Sequence, residues 1–151
     1  MNSERKEYLI NTVPILLKDL KKDNTGAFGI MSPQHMLEHL IKITKAICKD
    51  YGPPPNELTD GQKKFMSFLK NGAVFEHRPS AKTKNELPPL KFDSISEAKR
   101  EVPIALDRLY SLDREMKFFN PVMGTVSFEE LELFTYKHFK YHLEEQFGLN
   151  E

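Results

Sequence analysis

The chain reads as all-α: a bundle of four helices with one short extra helix and long connecting loops. Three observations point there. Apolar residues recur at helical spacing in four segments. Ser32, Ser94 and Ser127 each stand where a helix N-cap is needed. Alternating apolar and polar runs, the mark of a half-buried strand, are sparse.

The first helix is expected from about Glu4 or Thr12 to Lys22. Thr12 can cap a helix that carries Pro14 in its first turn, where a missing N–H does no harm. Val13, Leu16, Leu17 and Leu20 then share a face. Residues 4–11 form either a separate turn or an extension across a proline kink. DNTGAFG, residues 23–29, reads as a turn.

The second helix has Ser32 as N-cap, Pro33 at its first position and a stripe of Met36, Leu40, Ile43 and Ile47. It stops near Asp50, because YGPPP cannot continue it. Residues 59–71 form the short extra helix, capped by Thr59, with Phe65, Met66, Phe68 and Leu69 inward. The stretch from Gly72 to Asp93 holds Pro79, Pro88 and Pro89 and shows little periodicity, so it reads as a long connection.

A capping box from Ser94 to Glu97 opens the third helix. Ala98, Val102, Ala105, Leu109 and Leu112 make its stripe, and Pro103 should bend it. A turn at NPVMG, residues 120–124, leads to a second capping box, Ser127 to Glu130. The fourth helix runs from there to about Phe147, with Gly148 as its stop.

A chain of 151 residues fits a single domain over 1–151. Eleven Phe and five Tyr exclude a disordered chain. Twenty-two basic residues balance twenty-two acidic ones, and the two signs are interleaved. That pattern argues against nucleic acid and against an anionic membrane surface as partners. Cys48 is the only cysteine, so no internal disulfide forms, which fits a reducing cytoplasm. The apolar part of the N-terminal stretch is broken by Asn11, Thr12 and Pro14, so it reads as mature structure rather than a targeting segment. Nothing approaches the roughly 20 apolar residues of a membrane span.

Chemistry concentrates in KHFKYHLEEQ, residues 137–146. His138 and His142 are i and i+4 on one helix face and can share one ion. They fall on the wheel with Phe128, Leu131 and Thr135, the expected core-facing stripe. A pair alone also fits a structural or solvent-facing helix, and a catalytic metal usually takes three protein ligands. His39, beside the Met36, Leu40 and Ile43 stripe, is the best third candidate. His35 is further round the wheel, nearer an entrance, and His77 lies in the long loop without positional support. Glu129, Glu130 and Glu132 read as capping and solvated charges, and Cys48 as a buried apolar residue.

Two stretches carry a resemblance: FGIMSPQHMLEHL, residues 28–40, and NPVMGTVSFEELELFTYKHFKYHLEEQFG, residues 120–148. Together they resemble the DinB-like superfamily, in particular its small branch of bacterial proteins. The direct match covers about a third of the chain, and its order and spacing extend over nearly all of it. The resemblance implies an antiparallel four-helix bundle holding one divalent metal, commonly zinc or nickel, on three histidines. Carried over by position, these are His39, His138 and His142. It also implies a homodimer. This sequence departs from the pattern at Phe28, where the family has Trp, and at Tyr141, where the branch often has His. Gln146 follows His142 by four residues rather than three, which takes it out of the family's register for a residue supporting the metal ligands.

A three-histidine site with open positions either activates water for hydrolysis or holds a thiol as thiolate for delivery to an electrophile. Relatives in the wider superfamily include thiol-dependent S-transferases and isomerases. The preferred expectation is therefore a divalent-metal-dependent enzyme using a low-molecular-weight thiol on a small-molecule substrate. A metal-assisted hydrolase and a non-catalytic metal- or ligand-binding bundle are the alternatives. Glu38, Asp107 and Glu145 are the carboxylates expected to take the second N–H of an imidazole, and the 72–93 loop is expected to cover the site mouth.

Overall fold

The N-terminal helix begins earlier than Thr12 and runs through Pro14 rather than starting at it. In the computed structural model, which describes residues 2–72, 75 and 86–151, Asn2 is the N-cap and its side chain accepts from Arg5 N–H. Helix α1 (Ser3–Glu7) passes into a π turn (Tyr8–Thr12) and on into α2 (Val13–Lys18). Thr12 has helical dihedrals and makes no capping bond. Pro14 has no N–H to offer, and the ladder just before it closes one residue late, with Val13 N–H donating to Tyr8 C=O. The π turn thus lets a proline sit inside a continuous helical rod.

Helix α3 (Pro33–Ile47) is capped by Ser32, whose hydroxyl accepts from His35 N–H. Helix α4 (Asp60–Lys70) opens on a complete capping box between Thr59 and Gln62. Helix α5 (Ile95–Tyr110) is capped by Ser94, but the Glu97 carboxylate reaches back to Asp93 N–H rather than to Ser94. Helix α6 (Phe128–Lys140) opens on the box between Ser127 and Glu130 and passes into a second π turn, Tyr141–Gln146. Gly148, at φ 66°, ends it, and Leu149 N–H donates to Leu143 C=O across the stop.

The chain is mostly helical rather than all-α. Strands β1 (Lys117–Asn120) and β2 (Gly124–Ser127) pair antiparallel around the expected NPVMG turn, with Asn120 opposite Gly124. The buried Asn120 amide oxygen accepts from Val122 and Met123 N–H, which shapes the turn. Gly124 has φ 84°, which a side chain rarely adopts. Buried Gln62 donates to Pro121 C=O at 2.9 Å, tying α4 to the hairpin.

Helix α3 lies along α5 and also meets α6; the N-terminal π turn touches α5 and α6. One core cluster fills the space between these elements, around Leu9, Leu16, Met36, Leu40, Val102, Leu106 and Phe139. A second lies under the hairpin and α4, around Leu69, Leu109, Met123, Val126, Phe128 and Leu131. Burying one such side chain stabilises the fold by about 1.5–3 kcal/mol.

Glu132 is a correction to the sequence reading. It is wholly buried rather than solvated, and accepts from the Tyr110 hydroxyl at 2.7 Å and from Asn2 N–H at 2.9 Å. It therefore bolts α6 to α5 and to the start of α1. Glu130 does cap α6, and Glu129 lies exposed, 3.8 Å from Arg5. Among the described residues, no helix is long and apolar enough to cross a membrane.

Candidate metal centre

His39 comes from the middle of α3, His138 from the end of α6, and His142 from the π turn that follows. The stripe Phe128, Leu131, Thr135, His138, His142 is buried throughout, as its spacing predicts, and it carries the two imidazoles inward. Gln146 continues the same stripe and is also buried.

The three rings surround one point. Their centroids are 4.9 Å apart for His39 and His138, 5.0 Å for His39 and His142, and 4.8 Å for His138 and His142. One nitrogen from each lies within 4.8 Å of the others. The closest pair, His39 Nε2 and His138 Nε2, is 3.0 Å apart. Two nitrogens held about 2.0–2.1 Å from one zinc ion lie roughly 3.0–3.4 Å apart at ordinary coordination angles. That pair stands at ligating separation, and the third nitrogen is close enough for the trio to bind one metal ion; all three donors are imidazole nitrogens suited to zinc, copper, iron or nickel.

Burial keeps the rings neutral, which is the ligating form. Desolvation lowers His39 to about 4, with the nearby His142 and Lys42 adding to it. Desolvation also pushes His138 well below its ordinary value, and the other two rings push it further. His142 is lowered by burial, with its bond to Gln146 acting in the opposite direction.

The tautomer of His142 follows from its neighbours. Gln146 Nε2 donates to Phe28 C=O at 3.3 Å, so its other amide atom, 2.7 Å from His142 Nδ1, is the accepting oxygen. His142 Nδ1 must then carry the proton, leaving Nε2 for a metal. The expected carboxylate is thus replaced by an amide. Glu38 is engaged elsewhere, accepting from Lys91 and Phe92 N–H and from Gln34. Asp107 and Glu145 are exposed.

The four-residue spacing from His142 to Gln146 is met by a local change in the winding of the backbone. In an α-helix, residue i+4 sits about 40° round from residue i. In the π turn, Phe147 N–H closes on His142 C=O, five residues back, and the wider turn brings i+4 closer to alignment. The 26–29 turn then clamps the amide. Ala27 N–H donates to Gln146 C=O at 2.7 Å, and a Cβ on Gly29 would come within 3.3 Å of Gln146 Nε2. Phe28 packs on Tyr141 at 5.4 Å between centroids.

His35 is not part of the cluster; its Nδ1 lies 2.7 Å from Ser32 Oγ at the start of α3. His77 and most of the 72–93 connection lie outside the described residues. Cys48 is buried and its thiol is pushed up to about 11 by burial, which makes it a poor nucleophile.

Aromatic neighbours were not foreseen as part of the site. Phe134 stacks on the His138 ring at 5.2 Å, and Phe75 meets the same ring edge-on at 5.9 Å. Phe134 precedes His138 by four residues, so helical spacing alone could have placed it there. Phe75 has no comparable signal in the sequence. Comparison with protein-family models, curated proteins and solved structures finds no match for the chain.

Proposed function

We propose that the chain is a DinB-like four-helix bundle and a divalent-metal-dependent enzyme, with His39, His138 and His142 as the metal ligands. One observation carries this reading: three neutral imidazole nitrogens from two separate segments converge within 4.8 Å. When bound, a zinc or nickel ion would supply Lewis acidity there, either to hold a thiol as thiolate or to activate water. The rest is the work of the chain's own side chains. Gln146 fixes the proton of His142 on Nδ1. Phe134 and Phe75 flank the His138 ring and keep water from that side. His39, the only partly exposed ring of the three, marks the open side from which a small molecule would approach.

Between the two chemistries, the resemblance of residues 28–40 and 120–148 favours thiol-dependent S-transfer. The alternative is a cluster without metal. The 3.0 Å contact between His39 Nε2 and His138 Nε2 also fits an N–H···N hydrogen bond, which would make the trio a structural or ligand-binding feature.

Elemental analysis of protein purified without an affinity tag separates these readings. We expect about one transition metal per chain, and its loss in His138→Ala with the helical circular dichroism retained. Absence of metal from the parent, or equal metal in the variant, defeats the metal assignment. Metal-loaded protein incubated with low-molecular-weight thiols and a generic electrophile should then show metal-dependent turnover. Tight metal retention without turnover across a wide panel would leave a binding protein.

A further inference from the structure

A groove of about 710 Å³ runs along the outer side of α3, and His39 forms part of its wall. That volume is within the range of small-molecule sites. His138 and His142 are buried while His39 is only partly so, which puts the groove on the open side of the histidine cluster.

The groove has a distinctive lining. Lys42, Lys45 and Lys49 of α3 line it at spacings of three and four residues, and Lys91 lines it as well. None of these four ammonium groups is in an ion pair among the described residues. The lining holds two carboxylates, Glu38 and Glu86. Both oxygens of Glu38 are occupied, by Lys91 N–H at 2.6 Å and by Phe92 N–H and Gln34 at 3.2 and 3.0 Å. With Gln34 also donating to Phe92 C=O at 2.7 Å, these bonds pin the 91–92 segment to α3 and preform the groove. Apolar surface from Ile43, Ala46, Leu87, Pro89 and Phe92 completes it. Lys42 lies one turn beyond His39, close enough for its charge to lower that ring's proton affinity.

We propose that this groove is the substrate cleft of the histidine site and takes a small organic anion with an apolar body. The lysines hold the anionic head, and the aliphatic and aromatic lining holds the remainder beside His39. This rests on the metal-enzyme reading and adds a substrate class to it. Lys91 Nζ lies 5.7 Å from the Phe92 ring centroid, but none of the four ammonium groups has a carboxylate partner among the described residues, so an anionic head is favoured over a neutral or cationic one of the same size.

Binding of octanoate, 1-octanol and octylammonium to the metal-free and zinc-loaded protein tests this by calorimetry at low and moderate salt. Octanoate is expected to bind in both forms, more tightly than the alcohol, with octylammonium weakest and octanoate affinity falling as salt rises. Each exposed lysine is expected to contribute roughly threefold to fivefold. Lys42→Met with Lys45→Met should then weaken octanoate roughly tenfold, Lys45→Arg should retain binding, and Lys63→Met on α4 should change nothing. Octanol binding as tightly as octanoate, or undiminished octanoate binding in the double variant, overturns the proposal. Lysine-dependent octanoate binding by a parent that holds no metal supports the groove while defeating the metal reading, so the two can fail separately.

Discussion

Gln146 Oε1 lies 2.7 Å from His142 Nδ1, and this contact decides which nitrogen of His142 is left to ligate. Groups that orient a metal-bound imidazole typically matter 10–100-fold in affinity. Gln146→Leu is therefore expected to weaken metal binding roughly 10- to 100-fold, measured by competition with a chromophoric chelator. Gln146→Glu keeps an acceptor for Nδ1 but loses the donor to Phe28 C=O, so its loss should be smaller.

Gly29 reaches the same amide from the other side. It has φ 75°, and an added Cβ would meet Gln146 Nε2 at 3.3 Å. Gly29→Ala should cost about 1–2 kcal/mol of stability from the backbone alone. It should also weaken metal binding by displacing Gln146. Urea unfolding of the metal-free protein reads the first effect, and chelator competition the second.

The buried histidines make the metal-free protein sensitive to acid. His39 titrates near 4 when folded and near 6.5 when free, and His138 and His142 are shifted the same way. Between those values the unfolded chain binds more protons, so stability rises with pH. The contribution is complete above about 6.5 and is lost as pH falls towards 4, at about 3 kcal/mol at most for His39. The urea midpoint of metal-free protein should drop over that interval, and less steeply in His39→Asn.

Tyr110→Phe removes a donor from a carboxylate that has no access to water. The expected cost is about 1–3 kcal/mol, measured by chemical denaturation, with metal content unchanged. A variant with parental stability would show that the Glu132 contact contributes nothing net.

The histidine cluster was legible because its members lie on stripes. His138 and His142 continue the apolar face of α6, and His39 flanks that of α3, so burial of neighbouring residues dictates where they point. The caps at Ser32, Thr59 and Ser127 were legible for a similar reason: side chain and backbone partners lie within four residues. The hairpin was not, because Lys117–Asn120 and Gly124–Ser127 are each four residues long, too short for alternation to stand out. The choice between a start at Glu4 and one at Thr12 stayed open because the path through Pro14 depends on the Tyr8–Thr12 π turn, which leaves no pattern of residue types. Glu132 escaped because its partners, Tyr110 and Asn2, are 22 and 130 residues away.

The turn from Tyr141 to Gln146 also holds slack in chain length. A rung that closes on the fifth residue instead of the fourth accommodates one residue more than a regular helix between the same two end points. Excising Glu145 would let the rod tighten to a regular α-helix, with Gln146 three residues from His142. Loss of one residue at this point can thus be absorbed by the winding of the helix.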